Sequence, residues 1–132
     1  MKMDDKQLNE IFSPETLERL FPPGRTDSFF EALFGDAGEG AFDIRLCFSE
    51  REGDTLHFEL QLRQRPGKCL ACHLTYGIPD VFSRHPVVDI RRLSTEIGKL
   101  AGFTGEPVYT LGKTIEISKK LHVVPLTVSP AV

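Results

Sequence analysis

The sequence predicts a single α+β domain, in which an antiparallel sheet packs against one long helix and several short N-terminal helices. Three observations predict this class. The chain has 132 residues, about the length of one domain. Hydrophobic residues make up 40% of it, enough to build one core. Apolar residues first recur at helical spacing, alternate with polar ones from about residue 41, and return to helical spacing over residues 86–101.

Residues 1–35 form the predicted helical segment, in which apolar residues recur at helical spacing. Ser13 followed by Pro14 divides this segment, because serine is a good helix N-cap and proline suits the first helical position. We therefore expect a short helix before Ser13 and a second helix from Pro14 to Phe21. A third short helix is expected over residues 28–34.

A three-stranded antiparallel meander is predicted over residues 41–76. Apolar and polar residues alternate over 42–49 and again over 56–63, which is typical of strands with one buried face. The third strand follows a loop at 66–68 and is expected to pair with the second.

The first two strands also have a predicted register. A three-residue loop ending at a left-handed Gly53 places Arg45 opposite Glu59, which is a favourable cross-strand pair. The same register places Cys47 opposite the histidine at position 57.

Residues 86–101 form the predicted long helix, since one stripe of apolar residues recurs at helical spacing and Gly102 ends it. Residues 107–128 complete the domain. A hairpin is expected there, with its turn at Gly112-Lys113, followed by an edge strand or a tail, because Pro125 cannot donate to a sheet ladder.

Composition and charge exclude several classes of protein. The net charge is -3 and the isoelectric point about 5.8, so nucleic acid is not an expected partner. The apolar runs are too short to span a bilayer, and the polar N-terminus lacks the pattern of a signal peptide. Three cysteines, an odd number, argue against a disulfide framework. We therefore expect a cytoplasmic protein with reduced thiols and no membrane association.

One motif points to chemistry: residues 69–73 read Cys-Leu-Ala-Cys-His, the C-x-x-C-H pattern of covalent haem attachment. Haem attachment follows export, of which the sequence gives no sign, so we disfavour it. A zinc or iron knuckle requires four ligands. The candidate metal ligands are Cys69, Cys72, His73, Cys47 and His57.

Two other interpretations of this motif stay open. Reactive C-x-x-C pairs usually lie at a helix N-terminus, where the pKa of the thiol falls, whereas the flanks of this motif alternate like a strand. In a regular strand Cys69 and Cys72 point to opposite faces and cannot chelate one ion together. We therefore expect a strand without a cofactor, with zinc as the alternative.

Two sets of residues are candidates for binding a partner. Arginines near the second strand and the long helix form either a solvated face or a basic patch that binds an anion or an acidic segment. These are Arg63, Arg65, Arg84, Arg91 and Arg92. Phe29 and Phe30 lie in a phenylalanine-rich segment whose short helices leave little room in a core, so part of its surface is a candidate protein contact.

Residues 25–36 and 64–72 resemble small uncharacterised bacterial proteins, some of which carry a homeobox-type label. That label conflicts with the sequence, since a homeodomain has three helices and a basic recognition helix. The order of the predicted elements is similar to that of type III secretion chaperones. This second resemblance implies a cytoplasmic homodimer that binds extended segments of a partner protein.

The leading functional hypothesis is a non-enzymatic protein-binding or accessory module that forms a homodimer. No serine, histidine and aspartate constellation can be selected from spacing, so no catalytic residue is predicted. The alternative hypothesis is a metal-binding or redox module that uses Cys69 and Cys72.

Overall fold

The structure, a computed structural model, describes residues 5–22, 24–34, 42–66 and 88–130. These residues form a five-stranded antiparallel sheet and four short helices. The predicted α+β class is therefore confirmed.

Three helices, α1 (Asp5–Ile11), α2 (Pro14–Leu20) and α3 (Gly24–Phe34), follow one another along the N-terminal part of the chain. The hydroxyl of Ser13 accepts a hydrogen bond from the backbone N–H of Thr16 at 3.3 Å and caps α2. The predicted break between the first two helices is confirmed.

Two helices begin at different residues from those predicted. Helix α3 begins at Gly24 rather than at residue 28, and near its start the N–H of Arg25 donates to the carbonyl of Pro22 at 2.9 Å. The long helix α4 (Ile90–Leu100) begins later than residue 86, because Asp89 takes a left-handed φ of 47° and cannot belong to the helix. Its carboxylate instead accepts from the N–H of Arg92 at 3.2 Å and caps α4.

Two strands, β1 (Phe42–Glu52) and β2 (Thr55–Gln64), form an antiparallel hairpin. Gly53 in its turn has a φ of 61°, the left-handed conformation predicted for it. A β-bulge interrupts the pairing of β1 with β2 between Phe48 and Glu50.

The predicted register of this hairpin is wrong by two residues. Arg45 pairs with Gln61 rather than Glu59, and Cys47 pairs with Glu59 rather than His57. The turn lies at residues 53–54 instead of 51–53, which shifts the pairing by three residues, and the bulge in β1 reduces this shift to two. A shift by two leaves every side chain on its predicted face, because the side chains of a strand alternate with a period of two.

The C-terminal strand β5 (Leu121–Ser129) lies inside the sheet. One of its edges pairs with β2, and the other pairs with both β3 (Val108–Leu111) and β4 (Ile115–Ser118), which lie one after the other along it. Two predictions are therefore wrong: β3 and β4 do not form a hairpin with each other, and the strand that contains Pro125 is not an edge strand.

The predicted meander over residues 41–76 needs a correction too. β2 pairs with β1 on one edge and with β5 on the other. A strand has only two edges, so the predicted pairing of a third strand with β2 is wrong. Leu60 instead lies opposite Val124, and both are fully buried. Residues 67–87 lie outside the described part of the chain.

Pro125 is tolerated inside the sheet because, on the side where another residue would present its N–H, it lies at the break between β3 and β4. Its carbonyl accepts a hydrogen bond from the N–H of Gly112 at 2.8 Å, on the edge that β3 and β4 share. A strand residue presents its nitrogen and its carbonyl to the same edge. Since β3 pairs up to Leu126 and β4 from Val123, no ladder partner there requires the N–H that proline lacks.

One face of the sheet forms the core with the helices, and the other carries mainly polar side chains. Helix α4 adds Ile90, Leu93 and Ile97 to this core. The sheet residues of the core are Phe42, Ile44, Leu46, Leu56, Phe58, Leu60, Leu62, Val124, Leu126 and Val128. In the described ranges, no helix has the length and apolar character needed to cross a membrane.

Candidate functional site

Two predicted metal ligands lie on the polar face of the sheet. Cys47 is opposite Glu59, and the Nε2 atom of His57 is 3.4 Å from a carboxylate oxygen of Glu52. Within the described ranges, no three histidine, cysteine or acidic side chains come together in a way that would hold a metal ion. The C-x-x-C-H motif with Cys69, Cys72 and His73 lies outside those ranges, so the metal and redox hypotheses stay predictions.

Arg65 connects helix α3 to the sheet. Its guanidinium donates to Asp27 at 2.7 Å and to Asp43 at 3.1 Å, and only 16% of its side chain is exposed. The two carboxylates neutralise this predicted anion-binding residue. The side chain of Arg63 lies on the polar face, where its guanidinium donates to the amide oxygen of Gln61 at 2.6 Å.

The other two described arginines of the predicted basic patch lie on a different surface. Arg91 and Arg92 lie on α4, which packs on the apolar face of the sheet, and each is paired, with Glu106 at 2.8 Å and with Glu96 at 3.5 Å. Hydrogen bonding to Glu106 raises the pKa of Arg91 further and lowers the pKa of that carboxyl. The structure therefore does not join these residues and Arg63 into one basic patch. Arg84 lies outside the described residues.

Phe29 belongs to the core, since its exposed fraction is 0%. It is therefore not available as the predicted surface contact. Phe30 lies in the same helix, but its side chain is outside the described part of the structure. A phenylalanine-rich sequence does not distinguish core from surface, and here α3 is anchored to the sheet by the neighbouring Thr26.

Thr26 closes part of the outer edge of β1. Its hydroxyl accepts a hydrogen bond from the N–H of Ile44 at 3.1 Å and donates to the carbonyl of the same residue at 3.5 Å. Thr26 is fully buried, so this contact joins α3 to the sheet edge. An exposed sheet edge offers its backbone groups to other strands, and a side chain that bonds them blocks this at one position.

Further along the same edge, the backbone of β1 faces outward. The backbone groups of Ile44 face Thr26 and not β2, so the alternation of the strand turns those of Leu46 and Phe48 to the same outer edge. Among the described strands, β1 pairs only with β2. Within the described part of the chain, the backbone of these two residues therefore has no partner strand before the bulge at Ser49.

A groove of about 500 Å³ lies beside this edge, between β1 and the helices α1 and α2. Phe12 forms part of its wall and packs against Phe48, with ring centroids 5.5 Å apart. The groove residues on the helix side are Asn9, Phe12, Pro14, Leu17, Glu18 and Phe21. We call this combination of outward backbone and groove the β1-edge groove.

Charge in the β1-edge groove comes mainly from Arg45 and Glu18. Both are exposed, and neither forms an ion pair with a described residue. Burial raises the pKa of the Cys47 thiol, while the nearby cations of Arg45 and Arg63 oppose the rise. Arg45 therefore places positive charge beside Cys47, at the mouth of the groove.

The sequence did not reveal this site. The alternation in β1 predicts which side chains are buried, but it does not say which edge of the strand has a neighbour. The one available signal is the position of β1 as the first strand of its hairpin, which leaves one edge to be covered by later elements.

Comparison with known proteins finds no matching family model, no similar curated protein and no similar solved structure. The resemblances to small bacterial proteins and to type III secretion chaperones therefore stay predictions.

Proposed function

We propose that this chain is a non-enzymatic protein-binding module that holds an extended segment of a partner protein as an additional strand on β1. The observation that supports it is the β1-edge groove. There, the outward backbone of Leu46 and Phe48 lies beside a groove wall that includes the apolar side chains of Phe12, Leu17 and Phe21. Strand addition combines these two elements, since backbone bonds give affinity and side-chain pockets give selectivity.

The free energies of the two kinds of contact indicate why the groove matters for affinity. An added strand can form four backbone hydrogen bonds with Leu46 and Phe48, each with a net value of about 1 kcal/mol. That sum corresponds to a Kd of about 1 mM before any ordering of the segment is counted. Each apolar side chain that fully enters the groove adds roughly 1.5–3 kcal/mol. Micromolar affinity therefore requires the groove as well as the edge.

A matched pair of variants tests this proposal. Asn9→Trp places a large ring in the groove, whereas Glu10→Trp places the same ring on α1 at a position that does not line it. Both positions are exposed, so both variants should fold. Peptides are first selected for binding to the wild-type chain from a displayed random library.

The expected result is that Asn9→Trp weakens binding of the selected peptides about tenfold or more, while Glu10→Trp leaves it unchanged. Equal affinities for the two variants would contradict the proposal. Failure to select any peptide of micromolar affinity would contradict it as well.

The other expectations from the sequence need separate experiments. Sedimentation equilibrium tests the predicted homodimer, and cell fractionation tests the cytoplasmic location. Zinc and iron analysis of the chain purified without chelator tests the metal hypothesis. One ion per chain that is lost in a Cys69→Ser/Cys72→Ser variant would support a metal site.

A further inference from the structure

We infer that the segment held by β1 runs antiparallel to it and carries the pattern apolar, small, apolar, acidic, with the acidic residue opposite Arg45. This inference rests on the proposed function and names the chemistry of the partner.

Two features limit the length of the pairing. Thr26 already occupies the backbone groups of Ile44, and the bulge at Ser49 interrupts the strand after Phe48. Only Leu46 and Phe48 remain between these points. In an antiparallel pair, a residue exchanges both backbone hydrogen bonds with the residue directly opposite, so two partner residues satisfy this edge. Every described pairing in the sheet is antiparallel, which continues naturally at β1.

The register decides which partner side chains face the groove. Residues that lie directly opposite each other have their side chains on the same face of a sheet. Leu46 and Phe48 face the helices, so the two partner residues opposite them face Phe12 and the other apolar side chains of the groove wall. These two partner residues are therefore apolar. The residue between them lies opposite the half-buried Cys47 and is small.

The next partner residue lies opposite Arg45, on the polar face. Arg45 is exposed and has no ion pair with a described residue, whereas Asp43 is already bound by Arg65. An aspartate or glutamate opposite Arg45 forms a cross-strand pair of opposite charge. Opposite charges favour binding and like charges oppose it, so exchanging the acid for lysine is expected to weaken binding about tenfold.

A second copy of β1 matches this pattern less well. In the antiparallel register that pairs Leu46 with Phe48 of the copy, Cys47 meets its own equivalent and Ser49 lies opposite Arg45. Serine does not neutralise the guanidinium. We therefore assign the edge to a segment of another protein with an acidic residue at this position.

Cys47 reports on the register, because a cysteine placed in the small position of the peptide would lie directly opposite it. The probe is the peptide Val-Cys-Val-Glu with its thiol activated as a mixed disulfide with 2-thiopyridine. The Cys47 thiolate attacks the peptide sulfur, a new disulfide forms, and 2-thiopyridone leaves with the bonding electron pair and is measured by absorbance. Because burial raises the pKa of Cys47, the reaction is followed at mildly alkaline pH.

Three peptides are compared on a Cys69→Ser/Cys72→Ser chain. The second peptide, Val-Cys-Val-Lys, reverses the charge, and the third, Cys-Val-Val-Glu, moves the cysteine out of register. We expect the first to react about tenfold faster than the other two, and its advantage over the lysine peptide to disappear in Arg45→Ala. Where the double variant does not fold, mass spectrometry of the wild-type chain locates the modified cysteine and gives the same comparison.

The outcomes separate the two proposals. If the in-register peptides react no faster than the shifted one, strand addition at β1 is refuted together with the proposed function. If register matters but the glutamate and lysine peptides react equally, the proposed function stands and the acidic pattern is wrong. Rapid formation of a Cys47-linked dimer under mild oxidation, which excludes the peptides, would assign the edge to a second copy and overturn the inference.

Discussion

Thr26→Val tests the contact that closes one position of the β1 edge. Valine has nearly the same shape as threonine but no hydroxyl, so the buried N–H of Ile44 loses its acceptor at 3.1 Å. A buried donor left without a partner costs roughly 1–3 kcal/mol. The second contact, from the hydroxyl to the Ile44 carbonyl at 3.5 Å, is long and adds little. We therefore expect the free energy of unfolding to fall by about 2 kcal/mol.

Urea denaturation of the wild type, Thr26→Val and Thr26→Ser measures this change. Serine keeps the hydroxyl and removes one methyl group, which costs about 1 kcal/mol, so the valine variant should be the less stable of the two. Amide hydrogen exchange gives an independent readout, since the N–H of Ile44 should exchange faster in Thr26→Val than in Thr26→Ser. A valine variant as stable as the wild type, with Ile44 equally protected, would refute the role assigned to Thr26.

Three further predictions follow from the described contacts. Arg45→Ala should raise the pKa of Cys47 further and slow its alkylation at neutral pH, while Glu59→Gln should lower that pKa and speed alkylation, as measured by iodoacetamide kinetics. Arg65→Met should reduce the free energy of unfolding by about 1 kcal/mol in urea titrations, because two exposed carboxylates lose their partner, and high salt should shrink the difference. Gly53→Ala should destabilise the hairpin by roughly 1–2 kcal/mol because of its φ of 61°, whereas thermal unfolding should show Gly53→Asn to be better tolerated.

Local signals in the sequence predicted much of the fold. Ser13 and Pro14 divide two helices, since capping depends on residues within one turn. Gly53 lies in a tight turn because few other residues adopt its conformation. The alternation in β1 and β2 predicted the buried faces correctly even though the register shifted by two, because such a shift preserves the faces.

The wrong predictions concern strand order, where segments distant in sequence compete for the same edge of a neighbouring strand. Pro125 predicted an edge strand, yet β5 lies inside the sheet, because the break between β3 and β4 falls at the one position where proline lacks its donor. The proposed binding site depends on a similar long-range fact, namely which edge of β1 has no described neighbour. Strand order is determined by pairing between distant residues, which alternation within one strand does not encode.

The proposed function requires that β1 accept another strand at Leu46 and Phe48. Amide hydrogen exchange of the isotope-labelled full chain, measured with and without a peptide selected for binding, tests this most directly. The amides of Leu46 and Phe48 should exchange rapidly in the chain alone and about tenfold or more slowly with saturating peptide, while that of Ile44 should stay unchanged. Saturating peptide that leaves both amides at their original rates would contradict strand addition at this edge.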